Sequence, residues 1–365
     1  MREVVIVDAV RTPVGRRNGA LSSMHSADLL AVPFKALFDR TGMNPADVGQ
    51  VVGGCVSQIG QQAFNITRTA WLTAGLPLEV AATTVDTQCG SSQQAVDIAY
   101  ALIAAGVIDS AVAGGVEVMS KVPIGSNVAK GMNMGSPIPK SYFPQYEYTS
   151  QFDGAERIAK KWNITREDTD ALGLSSQERG AKAWAEDRFA TQIIPVDAPD
   201  LGEDGKPTGT THHVARDEGL RDTTAESLAG LKPVFGDDGV HTAGNASQIS
   251  DGAGAVLLMT PEKAQKLGLT PIARIVDTCL VGVDPILMLT GPIDATQHLL
   301  KRNNLSVDDI DLFEINEAFA SVVLAWAREL DGDLDRVNPN GGAIALGHPL
   351  GGTGSILITK AVHEL

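Results

Sequence analysis

The sequence predicts an α/β protein built from two copies of a strand–helix unit, with a different kind of segment inserted between them. Three observations predict this. Ala63-Phe64 followed by Ala70-Trp71 recurs as Ala318-Phe319 followed by Ala325-Trp326 at the same internal spacing. Each pair follows a strand-like stretch, Gln50 to Val56 in one case and Asp311 to Ile315 in the other. Strand patterns also alternate with helical ones, the order expected of parallel sheets with helices packed on them.

The elements follow in order. Glu3 to Val10 is a continuous apolar run broken only by Asp8, as expected of a strand covered on both faces, and Ile272 to Leu280 is its counterpart. Ser26 to Thr41 places Leu29, Leu30, Phe34, Leu37 and Phe38 at helical spacing and stops at Gly42. Pro292 to Arg302, with Pro in its first turn, is the matching helix. Thr83 to Val85 ends a strand, Ala95 to Ile103 forms an apolar helix face, and Ser110 to Val118 is a further strand. Thr165 and Asp168 form a capping-box start for a helix that runs on through Asp170 to Arg188. The resulting division is 1–118 for the first half, completed by about 245–270, then 119–244 as a loop domain covering the site, then 271–365 for the second half. The loop domain holds Met132, Met134, Tyr142, Tyr146 and Tyr148 among many Pro and Gly.

Composition narrows the function. A net charge of −15 and the absence of a basic run disfavour nucleic acid, so no nucleic-acid partner is expected. Three widely spaced cysteines, Cys55, Cys89 and Cys279, argue against a disulfide framework and for a reducing cytoplasm, and no paired Cys/His spacing points to a metal. No apolar stretch approaches the ~20 residues a membrane span needs, and Met1 to Val10 reads as a strand and not a signal peptide.

Four motifs carry chemistry. Cys89, in Asp86-Thr87-Gln88-Cys89-Gly90-Ser91-Ser92, sits at a strand-to-helix turn. A helix N-terminus there stabilises a thiolate and offers N–H groups to an oxyanion; a small buried cysteine at a tight turn is the alternative. Cys55 and Cys279 read as inert core thiols. His348 lies in the glycine-rich run Asn338 to Gly354, before a last helix from Thr353 to His363. It occupies in the second copy the place Cys89 occupies in the first, which sets a base beside a thiol. Asn316, in Glu314-Ile315-Asn316-Glu317-Ala318-Phe319, is either a helix cap or an amide aimed into the site. Gly244 to Ala255 is rich in small residues, for close approach of a ligand or for tight packing. His212-His213 reads as a solvated turn, and His25, His241, His298 and His363 have no partner spacing.

Together with the opening Asp8-Ala9-Val10-Arg11-Thr12-Pro13, these motifs resemble the thiolase family in order and over essentially the whole chain. Within it the sequence looks most like actinobacterial thiolases of steroid side-chain degradation. The resemblance implies a five-layer αβαβα fold and a homodimer or homotetramer. It implies CoA-dependent cleavage of a 3-ketoacyl-CoA to acetyl-CoA and a shortened acyl-CoA, with coenzyme A as co-substrate and no covalently bound cofactor. Cys89 would be the nucleophile, His348 the base and Asn316 the holder of an oxyanion water. Ser247, Arg221, Ala318 and Phe319 would contact acyl-CoA. The alternatives are a biosynthetic acetoacetyl-CoA thiolase, a ketoacyl synthase and a non-catalytic acyl-CoA-binding subunit. Thiolases also carry a second reactive cysteine in a Cys-x-Gly-Gly-Gly segment after the last helix, and this sequence stops at Leu365 before it. The repeat says the same, since no counterpart of Ser110 to Val118 follows the last helix, so last strands are expected to be lacking here. Short-chain thiolases often place a histidine near the start of a loop-domain helix; Gln151 to Glu156 has none, which tilts the expectation toward bulkier acyl groups.

Overall fold

The structure, a computed structural model, describes residues 1–128 and 131–365. Its first part runs β1 (Val4–Arg11), β2 (Gly15–Arg16), α1 (Ser26–Thr41), β3 (Gln50–Gly54), α2 (Ile66–Thr73), β4 (Ala81–Val85), α3 (Ser91–Ala104) and β5 (Ser110–Val118). The middle holds α4 (Gln151–Lys161), α5 (Arg166–Ala185), the hairpin β6 (Val196–Leu201) and β7 (Pro207–Val214), and α6 (Ala225–Ala229). Then follow β8 (Ser250–Met259), α7 (Pro261–Leu267), β9 (Ala273–Ile275), α8 (Gly291–Asn303), α9 (Ala320–Leu330), α10 (Ala343–Leu346) and α11 (Thr353–Glu364).

Local chemistry explains most boundaries. Gly42 ends α1 in the left-handed conformation that glycine adopts without strain. Thr165 and Asp168 cap α5 reciprocally, each side chain bonding the other's backbone N–H.

The main sheet is ordered β4-β3-β5-β8-β1-β9, with β2 beside β8. Strands β3, β4 and β5 are parallel, as the alternation of elements predicts. Strand β8 instead lies between β5 and β1 and runs antiparallel to both, so the sheet is mixed. Its small residues serve packing: a Cβ on Gly254 would meet Ser355 Oγ of α11 at 2.8 Å. Helix α1 covers one face, where Phe34 and Phe38 set their edges on Trp71 at 6.0 and 5.7 Å. Helices α3 and α11 cover the other.

The second half forms less sheet than its apolar runs predict. Only Ala273–Ile275 of the 272–280 run pairs, with β1. Val276 and Leu280 are exposed, because no strand among the described residues lies beside them to complete a ladder. The 311–315 run makes a single bridge, Phe313 to Val337. There the Asn338 side chain takes the place of a strand, accepting from Ile315 N–H and donating to Ile315 O, both at 2.9 Å. Around this segment Trp326, Phe313, Val323 and Ile344 form a second core.

Two histidine readings are corrected. His212 and His213 lie in β7, each with its Nδ1 on a β6 carboxylate (Asp200 at 2.7 Å, Asp197 at 2.8 Å), and are not in a turn. His241, which has no partner within a turn of sequence, is fully buried with two side-chain partners distant in sequence.

Candidate active site

Strand β4 ends at Val85 and α3 opens at Ser91, so Cys89 falls in the turn between them. Gln88 bends the chain with φ 55°, a costly left-handed conformation for a residue with a Cβ. Ser91 Oγ locks the turn, accepting from Thr87 N–H at 3.0 Å and donating to Gln88 O at 2.6 Å. The thiol packs against Val56, Met119 and Leu350.

The expected depression of the thiol pKa is not found. Burial pushes the Cys89 thiol up to about 11, with the charges of Glu117 and Asp86 adding to the effect and a backbone hydrogen bond opposing it. Desolvation outweighs that hydrogen bond here. Burial likewise pulls His348 down to about 4. Both shifts favour the uncharged forms of the thiol and the imidazole.

The hydrogen bonds of His348 choose its tautomer. Thr353 Oγ1 donates to Pro349 O at 3.0 Å, so at 2.6 Å it accepts from His348 Nδ1–H. That leaves Nε2 as the unprotonated nitrogen, and Asn316 Nδ2 donates to it at 3.2 Å. Asn316 Oδ1 is buried with no partner among the described residues.

Two cavities meet at Ala318. One, of about 390 Å³, is lined by Cys89, Asn316, Ala318, Met288, Leu289 and Thr353 among others. The other, of about 130 Å³, is lined by His348, Ser247, Ala318 and Phe319, and by Met119 and Leu350, which also pack on Cys89. Ile124, Gln151 and Phe152 of the loop domain close its far wall. The structure thus brings Cys89, His348, Asn316, Ser247, Ala318 and Phe319 to one place. The Ser247 segment is held there by backbone pairing, Ser247 N–H to Ala318 O at 3.0 Å and Ala320 N–H to Asn245 O at 2.9 Å. Arg221, expected at the nucleotide end of coenzyme A, lines neither cavity, and its guanidinium donates to Ala243 O at 3.2 Å.

Two buried carboxylates that the motif reading passed over hold the site's loops. Glu117 accepts from Val56 N–H, Ser57 N–H, Gln62 Nε2 and Gly351 N–H at 2.7 to 3.0 Å, tying the loop after β3 to the loop that carries His348. Desolvation raises its pKa even against those four donors. Gly351 must be glycine, since a Cβ would lie 2.6 Å from Cys55 Cα. Glu317 accepts from Ser176 Oγ, Asn338 Nδ2 and Ile344 N–H, fixing the glycine-rich run from its other end. An acid inside an otherwise apolar strand run, as at Glu117, is the signal that marks such a residue.

Comparison with known proteins agrees with this geometry. The thiolase N-terminal domain matches residues 4–262 and the thiolase C-terminal domain residues 269–365. The chain is 47% identical to steroid 3-ketoacyl-CoA thiolase FadA6 of Mycobacterium tuberculosis, covering 100% of this chain and 88% of that one. It is 42% identical to 3-ketoacyl-CoA thiolase of Bacillus subtilis, covering 100% and 93%. The crystal structure of Bacillus anthracis acetyl-CoA acetyltransferase superposes with a TM-score of 0.89 at 39% identity, covering 100% of this chain and 92% of that one. Matched in sequence from residue 4 to residue 365, and in fold over its whole length, this chain belongs to the thiolase family of CoA-dependent acyltransferases.

Proposed function

We propose that the chain cleaves 3-ketoacyl-CoA in the degradative direction, with Cys89, His348 and Asn316 as its catalytic residues. The observation that carries this is the bare Nε2 of His348, oriented by Thr353, beside the Asn316 amide, in cavities that share their walls with Cys89. His348 Nε2 takes the Cys89 proton as the sulfur adds to the C3 carbonyl. The C2–C3 bond then breaks, its electron pair leaving with acetyl-CoA as an enolate that takes up at C2 the proton His348 received from Cys89, which returns Nε2 to its unprotonated form. Asn316 Nδ2 and His348 stabilise the developing oxyanion. The thiol of free CoA loses its proton to His348 and adds to the acyl-Cys89 thioester; the C–S bond to Cys89 breaks, and the expelled sulfur takes that proton from His348, restoring the Cys89 thiol.

The acyl group is bulky and apolar. A cavity of about 660 Å³, lined by Ile124, Pro137, Ile138, Phe143 and Tyr148, shares Ile124 with the His348 cavity and extends it outward. The similarity to a protein named steroid 3-ketoacyl-CoA thiolase points the same way. The working form is a cytoplasmic homodimer or homotetramer. Edge strand β4, with nearby exposed Phe64 and Leu78, offers the face for a second copy, and among the described residues no helix is long and apolar enough to cross a membrane.

Intact mass spectrometry after addition of a 3-ketoacyl-CoA without free CoA tests the mechanism. One acyl adduct is expected on the wild-type chain and none on Cys89→Ala. An adduct that persists in the variant overturns the assignment.

A further inference from the structure

We infer that His241, outside the catalytic set, positions the Phe319 wall of the cavity of His348 and Ser247 through a buried network with Glu156 and Ser321. His241 Nδ1 lies 2.9 Å from Glu156 Oε1 on α4, and its Nε2 lies 2.9 Å from Ser321 Oγ in the first turn of α9. The two Glu156 oxygens also accept from Val240 N–H and His241 N–H, each at 3.1 Å. Burial alone would raise the Glu156 pKa; its bonds to His241 and these two N–H groups outweigh that and lower it. One ring thus joins the loop domain, the segment that carries Ser247, and α9.

Serine, histidine and acid in this order resemble a nucleophilic triad, but Ser321 is fully buried and its hydroxyl donates to Ala155 O at 3.2 Å. No substrate carbonyl reaches it, and hydrolysis is excluded. What the network does touch is Phe319. The His241 ring meets the Phe319 ring edge to face, centroids 5.3 Å apart at 80°. Phe152 meets Phe319 at 5.4 Å and 77°, and Phe152 and Phe319 both line the cavity of His348 and Ser247. Aromatic pairs at such distances have a preferred angle, and a ring fixed by hydrogen bonds at both nitrogens cannot turn to relax it. His241 therefore sets where the cavity wall stands, while Cys89 and His348 are held by other residues, Ser91, Thr353 and Glu117. The consequence is selective: ligand binding depends on His241 and the chemistry at Cys89 does not.

This inference rests on the thiolase reading, and the experiment separates the two, because failure of that reading shows as no turnover in the wild-type enzyme. His241→Phe keeps a ring and loses both hydrogen bonds; His241→Gln keeps reach to one partner; Ser321→Ala leaves the ring its Glu156 bond and removes the hydroxyl's contacts to His241 Nε2 and Ala155 O. Thiolysis of a 3-ketoacyl-CoA is followed alongside alkylation of Cys89 by iodoacetamide. Expected for His241→Phe is a KM raised about tenfold, with kcat and alkylation rate within about twofold. His241→Gln should recover part of the KM, and Ser321→Ala should raise it about threefold. A folded His241→Phe enzyme with wild-type KM reduces His241 to packing and overturns the inference. A fall in kcat and alkylation with KM unmoved overturns it as well. Should His241→Phe not fold, Ser321→Ala decides, and an unchanged KM there counts against the network.

Discussion

The two copies of the repeat treat equivalent residues in opposite ways. Trp71 and Trp326 are both fully buried, each with its indole N–H bonded, to Pro77 O at 2.8 Å and to Thr296 Oγ1 at 3.0 Å. Phe64 and Phe319, seven residues before each, part company: Phe64 is 97% exposed and Phe319 only 3%. The loops diverge again further on, where one carries Cys89 and the other His348. The difference teaches that duplication preserved the positions that build the cores and released those that face outward or into the site. A pair of unlike reacting groups needs that release, since two identical loops would bring together two thiols or two imidazoles.

The largest expected effect breaks the first loop. On the proposed mechanism Cys89→Ala should lower thiolysis by at least about 10⁴-fold, with KM near wild type in whatever turnover remains, because the sulfur there is the group that takes the acyl bond. Loss of less than tenfold in steady-state assays would move the nucleophile elsewhere.

The second loop is next, and pH sharpens it. His348 is buried neutral, with a pKa near 4 against an ordinary 6.5. The unfolded chain takes up this proton near pH 6.5 and the folded chain only near 4, so stability falls as pH drops between those values. The loss amounts to on the order of 3 kcal/mol if the full shift is expressed. His348→Asn should therefore lose less Tm than wild type between pH 6.5 and 4, while its kcat falls about 10³-fold. Equal acid sensitivity in both proteins would show that His348 is not held neutral. In the same experiments alkylation of wild-type Cys89 should keep rising toward pH 11, since burial raises its thiol to about that value.

The cores supply the comparison that should not break. Trp71→Ala and Trp326→Ala should each cost about 3–5 kcal/mol in denaturant unfolding, the range for emptying a buried aromatic site. A cost below about 1 kcal/mol at Trp326 alone would mean that the second core, beneath which the described residues form no paired sheet, bears little load.

These contrasts also mark what could be read in the sequence. Helix α1 and its Gly42 stop, the capping box of α5, and the placement of Cys89 between β4 and α3 were all legible, because propensity, capping and apolar spacing agreed there. The antiparallel course of β8 was not, since a run covered on both faces looks the same in either direction. Strands over 272–280 and 311–315 were overread: apolar runs give a strand only where a neighbour supplies the ladder, and Asn338 alone does so for Ile315. The joining of Cys89, Asn316 and His348 followed from the motifs. Their protonation states did not, because a helix N-terminus is visible in sequence and desolvation is a property of the packed site. His241 escaped for a related reason: its partners lie 85 and 80 residues away, and no local spacing announces them.

The smallest effect on the folded chain is expected where the copies differ most. Phe64→Ser removes an aromatic ring that touches water and not the core, so unfolding free energy should change by no more than about 0.5 kcal/mol. Phe319→Ser, at the equivalent place, puts a hydroxyl among Ala155, Ala318 and Val322 and should cost about 3 kcal/mol or more. Yet Phe64 pays a solvation penalty in the free chain, and its backbone at φ 55° holds the side chain outward at some further cost. Such a cost persists when burial against another surface offsets it, and edge strand β4 lies close by with one side unpaired. Sedimentation of Phe64→Ser should then show a weaker assembly than wild type at equal chain stability. If assembly is unchanged, the exposed copy of this phenylalanine has simply lost the use that its buried twin retains.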